Sequence, residues 1–250
     1  MAEVVKLTNI RKFYHTQSGE TEALRNICFS VDEKEFVSII GPSGCGKSTV
    51  LSIIAGLEKP SGGSVAIGDK KNSKIGYMLQ QDHLFPWLTV RQNALLGLDI
   101  LKERTQEKTA RVDRLFDRYG LYAFKDKYPA ELSGGMRQRV ALIRTLAIQP
   151  SVLLLDEPFS ALDYQTRLAV SDDIYRIIKN EGKTAILVTH DISEAISMSD
   201  RIIVLSNRPS TVKNVHNIAL SGDPTPIQRR KAPEFSRYFQ LLWEELNENG

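Results

Sequence analysis

Residues 41–49 read GPSGCGKST, between the short apolar run EFVSII and the stretch TVLSIIAGL. No other segment constrains the fold as much. EFVSII has the composition of a buried strand, and TVLSIIAGL continues as a helix. The chain therefore passes from a strand through a glycine loop directly into a helix N-terminus. Glycines let backbone N–H groups turn inward around an anion without a Cβ in the way. The helix start adds unpaired N–H donors and partial positive charge. Gly41, Gly46, Lys47 and Ser48 match G-x-x-x-x-G-K-[ST], a phosphate-cradling pattern. The predicted cradle is Gly41, Pro42, Ser43, Gly44, Cys45, Gly46, Lys47, Ser48 and Thr49. In it Lys47 carries a full charge toward the β and γ phosphates, and Ser48 offers a hydroxyl to Mg²⁺. Cys45 fills a variable position and is assigned no chemistry of its own.

Two further strand ends converge on the same place. SVLLLDEP closes an apolar run on Asp156 and Glu157, and TAILVTH closes another on His190. In an open parallel sheet, ligands collect at the carboxyl ends of the strands. Adjacent carboxylates there suit a division of work, with Asp156 on the hydrated metal and Glu157 polarising the attacking water. His190 is expected to face the same cleft and hydrogen-bond the γ-phosphate.

Apolar strands alternating with helices predict an α/β fold with a mainly parallel sheet covered on both faces. Residues 1 to about 40 alternate apolar and polar, which predicts N-terminal strands with a turn at QSGET, 17–21. VAIG and KIGYMLQ read as further strands. From about 82 to 149 the spacing is helical, an insertion between strands, and a helix follows the turn-rich SGDPTPIQ. In that last helix Phe235, Tyr238, Phe239, Leu242, Trp243 and Leu246 fall on one face, expected to pack on the chain's own surface. The expected division is a core from 1–81 and 150–220, a helical lobe over 82–149 and an extension over 221–250. No run approaches the roughly 20 apolar residues that span a bilayer, and no signal peptide is visible. The net charge of +3 is too small to indicate a nucleic-acid surface, and two cysteines provide no disulfide framework.

LSGGMRQR, 132–139, places Ser133 as an N-cap before Gly134 and Gly135 and then a helix. This is a second phosphate-binding helix start without a lysine loop of its own. With 41–48 and LLLDEP, it resembles the ATP-binding subunit of an ABC transporter over about residues 4–215. The resemblance implies a P-loop NTPase (RecA-like) core with an N-terminal antiparallel β subdomain and an inserted helical subdomain. It also implies that two copies meet head to tail, with ATP and Mg²⁺ between one copy's loop and the other's LSGG.

Other positions follow from the resemblance one at a time. Tyr14 fits the aromatic that stacks on adenine, with neighbouring Phe13 as the alternative. Gln80 fits the glutamine that reaches the metal at the start of the helical lobe, and counting back from Pro86 and Trp87 favours it over Gln81. Ser160, Ala161, Leu162 and Asp163 match the stretch that crosses the dimer seam; Asp163 also fits a helix N-cap, and the two roles are compatible. Phe85 and Trp87 are candidates for a groove gripping a permease helix or for the lobe's own core. The implied partners are separate permease subunits and an extracytoplasmic substrate-binding protein, not nucleic acid, at the cytoplasmic face of the membrane. LFPWLTV, LSGGMRQR and LSNRPSTV resemble importers of nitrate, sulfonates and taurine, with thiamine-precursor importers among their relatives. Where those relatives often have RPG, this chain has Arg208, Pro209 and Ser210. Export, or a soluble relative acting on nucleic acid, are the alternatives.

Overall fold

The computed structural model describes residues 2–16, 19–68 and 74–247. Gln17 and Ser18, in the turn expected over 17–21, lie outside the described residues, as do the last three residues of the C-terminal extension. β1 (Glu3–Thr16) and β2 (Gly19–Asp32) form a long antiparallel pair. β3 (Phe36–Ile40) leads through the glycine loop into α1 (Lys47–Ile54). β4 (Gly62–Ile67) returns to β1, completing a three-stranded sheet of order β2-β1-β4. β5 (Ile75–Met78) is followed by α2 (Val90–Ile100), α3 (Gln106–Arg118), two 3₁₀ turns (Tyr122–Phe124 and Pro129–Glu131) and α4 (Gly134–Ala147). Then come β6 (Val152–Asp156), α5 (Tyr164–Asn180), β7 (Thr184–Val188), α6 (Ile192–Met198), β8 (Arg201–Leu205) and β9 (Val212–Asn217). The four-residue α7 (Pro226–Arg229) and α8 (Phe235–Asn247) complete the order.

The second sheet has order β5-β6-β7-β3-β8-β9, parallel throughout except for β9, which runs antiparallel along β8. Its parallel strands are mainly apolar because both faces are covered, and consecutive side chains go to opposite faces. On β6, Val152 and Leu154 pack toward α1 and the antiparallel sheet, while Leu153 and Leu155 pack toward α4 and α5. β7 repeats the alternation with Ile186 and Val188 against Ala185 and Leu187. A third cluster joins Ile40, Ile202 and Val204 to α6 and to Leu242 of α8.

In α8, Phe235, Tyr238, Phe239 and Leu246 join Leu242 against that cluster. Trp243 departs from the expected face: it is 55% exposed and stacks on Phe239. One residue is 100° of helical turn, which carries Trp243 past the edge of the buried stripe. β9 is not among the strands the sequence pattern predicts. It is polar and half-exposed, and its place comes from backbone pairing with β8. Among the described residues no helix is long and apolar enough to cross a membrane.

Candidate functional site

The glycine loop lies at the carboxyl end of β3, the strand flanked by β7 and β8. A Cβ on Gly41 would lie 2.8 Å from Cys45 Sγ and 2.9 Å from the Leu205 carbonyl oxygen, so no side chain fits there. Gly46 has φ 111°, a conformation that L side chains rarely adopt. Gly46 is also the N-cap of α1 and brings no side chain to it, so the first-turn N–H groups stay available to an anion. Lys47 is buried, and its Nζ donates to the carbonyls of Gly41 (2.9 Å) and Pro42 (3.0 Å). An ammonium has three donors, so one is left over.

A cleft of about 500 Å³ opens over this loop, lined by Ser43, Gly44, Gly46, Lys47, Ser48, Thr49, Glu157, His190 and Arg208. Parallel pairing of β6 with β7 brings Glu157 and His190 to one end of the sheet. Glu157 follows β6 with φ 44°, and its N–H donates to the Val188 carbonyl at 2.9 Å. A left-handed non-glycine residue costs about 1–3 kcal/mol, and such strain concentrates at functional sites. Its carboxylate Oε2 lies 3.0 Å from His190 Nδ1 and 3.5 Å from Gln80 Nε2. Gln80 Nε2 also donates to Ser160 Oγ at 3.2 Å, and that hydroxyl donates to the Glu157 carbonyl at 3.0 Å.

Asp156, the last residue of β6, accepts from Ser48 Oγ on Oδ1 and from Tyr77 OH on Oδ2, each at 3.0 Å. Burial pushes the Asp156 carboxyl up, opposed by these two hydrogen bonds. Burial and the Asp156 charge push the Tyr77 phenol up to about 12. Ser48, Asp156 and the Gln80 amide offer only oxygen donors, the set a hard divalent cation takes. Among the described residues no cluster of three or more His, Cys, Asp or Glu could hold a metal. A cation here would thus draw most of its ligands from water and a bound phosphate, as Mg²⁺ does.

Tyr14 flanks the loop, 38% exposed, with its OH 3.4 Å from Thr49 Oγ1. Lys12 Nζ sits 5.0 Å from the Tyr14 ring centroid and is itself tied to Glu58 and to the Lys59 carbonyl. Ser133 caps α4, accepting from Met136 N at 3.3 Å, and Asp163 caps α5, accepting from Thr166 N at 3.1 Å. A Cβ on Gly134 would lie 3.1 Å from Leu162, and one on Gly135 2.7 Å from Val170. Ser133, Gly134, Gly135 and Asp163 therefore gather where α4 meets α5, and none of them lines the cleft over the loop. α4 also reaches the segment just after Gln80: Arg137 Nε donates to Asp82 at 3.0 Å, and Arg144 donates to the carbonyls of Asp82 and His83.

Two residues at the site were not among those expected from sequence. Tyr77 lies on β5, next to β6, with its hydroxyl on Asp156. Arg208 enters the cleft from the β8–β9 connection. The available signals were a tyrosine near the end of a parallel strand and an arginine just beyond another.

A family model for the ABC transporter domain matches residues 24–160. An uncharacterized ABC transporter ATP-binding protein, YtlC of Bacillus subtilis (strain 168), is 51% identical over 94% of this chain and 92% of its own length. The nitrate import ATP-binding protein NrtC of Synechococcus elongatus is 42% identical over 92% of this chain, which spans only 35% of that longer protein. The aliphatic sulfonates import ATP-binding protein SsuB of Bacillus thuringiensis is 41% identical, covering 84% of each chain. A solved dimeric ATP-binding cassette in a post-hydrolysis state, bound to ADP and Pi, superposes with a TM-score of 0.72 at 36% identity, covering 86% of this chain and 99% of its own. Fold, loop and relatives agree: the chain belongs to the ABC transporter family as an ATP-binding, ATP-hydrolysing subunit.

Proposed function

We propose that two copies of this chain close head to tail around ATP and Mg²⁺ and drive import of a small anion. One observation carries the reading. The loop, Glu157 and His190 share one cleft, whereas Ser133 and the glycines after it lie outside it. A second copy, turned end for end, would present its Ser133 helix start to nucleotide held on the first copy's loop. The two helix starts would then face one polyphosphate, each favouring negative charge.

In this reading Lys47 and the loop N–H groups hold the phosphates. Ser48, Asp156 and Gln80 hold Mg²⁺, which neutralises charge on the phosphate oxygens when bound. Glu157 takes a proton from the attacking water, and His190 holds both Glu157 and the γ-phosphate in register. Tyr14 stacks on the base, and Asp163 meets the partner copy across the seam. Phosphoryl transfer asks mainly for positioning and charge neutralisation, which this set supplies.

Segment 82–149 acts as a lobe that docks a separate permease at the cytoplasmic face. Phe85 and Trp87 support this: they pack on each other at 5.0 Å between centroids, and Trp87 is 68% exposed, not buried in the lobe's own core. The names of the relatives support an anionic cargo, nitrate for one and aliphatic sulfonates for another. In the complete importer an extracytoplasmic binding protein delivers that cargo.

Mixing two inactive variants tests the dimer. Lys47→Ala keeps an intact Ser133 face, and Ser133→Arg keeps an intact loop, so a mixed pair holds one complete site. ATPase activity should reappear on mixing and rise with protein concentration. Full activity from copies shown by light scattering to remain single with nucleotide present would end the reading.

A further inference from the structure

We propose that Arg208 is a second phosphate-binding cation of the nucleotide site, alongside Lys47. This deepens the function proposed above and rests on its nucleotide site.

The first support is position. Arg208 lines the same cleft as Lys47, Glu157 and His190. Its guanidinium lies against the glycine loop: Nη2 would be 3.9 Å from a Cβ on Gly44, ordinary contact distance. The Cys45 thiol registers the same proximity. Burial pushes its pKa up, and Lys47 and then Arg208 draw it back down.

The second support is charge. In the cleft lining Lys47 and Glu157 cancel, and Asp156 lies just behind, hydrogen-bonded to Ser48. Arg208 adds a second fixed cation to that lining, in a planar form that pairs well with phosphate oxygens. Among the described residues the Arg208 guanidinium makes no hydrogen bond or ion pair, so its donors are uncommitted. Several other arginines are committed: Arg91 to Asp113, Arg111 to Glu181 and Arg201 to Glu35.

The third support is anchoring. Ser210 N donates to the Ala23 carbonyl at 3.0 Å, and Arg25 N donates to the Ser210 carbonyl at 2.8 Å. On the other side, Ser206 N donates to the Thr211 carbonyl at 3.0 Å. The connection is therefore pinned to β2 through Ser210 and closed on itself between Ser206 and Thr211. Arg208 projects from a fixed base, and its exposed side chain is free to meet a ligand.

The test compares wild type with Arg208→Gln, using calorimetric binding of ATP and of inorganic tripolyphosphate to the full chain, below the concentration at which copies pair. Both ligands should weaken by the same factor, roughly tenfold, the low end for a charge-assisted hydrogen bond. The unfolding temperature without ligand should not move. ATP affinity within twofold of wild type overturns the proposal, as does a loss of pairing with binding by single copies unchanged. Weakening of ATP alone, with tripolyphosphate unaffected, would put Arg208 on the base or sugar and also overturn it. Lys47→Ala, measured in parallel, separates the two levels. Binding lost there but intact in Arg208→Gln removes only the arginine's role, whereas binding intact in both removes the nucleotide site itself.

Discussion

Nδ1 of His190 lies 3.0 Å from Oε2 of Glu157, across the ends of neighbouring strands β7 and β6. The contact orients a carboxylate that β6 delivers in a left-handed backbone conformation, φ 44°. In the proposed mechanism Glu157 is the general base, which must be held at a fixed point for its water; His190 provides one hold and Gln80 a weaker one at 3.5 Å. Glu157→Gln should bind ATP with near-normal affinity and lose roughly 10²–10⁴-fold in single-turnover hydrolysis, the usual worth of a general base. His190→Ala should lose turnover as well, because Glu157 is then unanchored. Hydrolysis by Glu157→Gln at the wild-type rate would remove that residue from its role.

Tyr77 and Ser48 each hold one oxygen of Asp156, both at 3.0 Å. With its phenol pushed up to about 12, Tyr77 remains a proton donor throughout the neutral range. Tyr77→Phe deletes one support of a half-buried carboxylate. Loss of such an outer partner typically costs 10–100-fold in metal affinity, so the Mg²⁺ concentration that half-saturates ATP binding should rise by about tenfold. ATP binding in EDTA should be unchanged. An identical Mg²⁺ titration in the two proteins would show that Ser48 alone orients Asp156.

The sequence made the loop, the β6 end and the β7 end legible because each is a short contiguous pattern: an apolar run followed by polar residues of fixed type. That such runs form one parallel sheet also follows locally, since Phe36–Ile40 and Thr184–Val188 are apolar apart from Ser38 and Thr184 and offer no polar face to water. Tyr77 and Arg208 were not legible for the opposite reason. Nothing in GYM or NRPS announces that Asp156 or Gly44 will be the neighbour, because strand order, not sequence spacing, makes the contact. β9 has no strand signature in the sequence because VKNVHN has little apolar content and takes its strand form from pairing with β8. Ser133 and Asp163 were legible as caps, and the structure shows both bonds.

Ser210 is fully buried, and its Oγ has no hydrogen-bond partner among the described residues. Its backbone N–H and carbonyl are both paired with β2. The side chain therefore contributes only the cost of desolvating an unmatched hydroxyl, about 1–3 kcal/mol. Ser210→Ala keeps the backbone bonds and removes that cost. We expect a gain of about 1 kcal/mol, or roughly 2–4 °C in Tm for a chain of this size. Differential scanning calorimetry reads this directly, and a lower Tm would mean that the hydroxyl has a bound water partner worth more than its burial costs.

Glu103 joins the sheet to the helical segment after it. Its carboxylate accepts from Lys74 Nζ, just before β5, at 2.5 and 2.6 Å, and from Lys108 Nζ of α3 at 2.5 Å. Hydrogen bonds first from Lys108 and then from Lys74 hold its pKa down to about 2, from an ordinary 4.5. A folded-state pKa below the unfolded one contributes stability above the unfolded pKa, and that stability is lost as pH falls through the folded one. Glu103→Gln should therefore lower Tm at neutral pH. The gap from wild type should shrink as pH drops from about 4.5 toward 2. Because the cluster is reached by solvent, raising salt should narrow the gap at neutral pH as well. Tm curves for the two proteins that stay parallel from pH 7 to about 2 would show that the lysines gain nothing from the charge on Glu103.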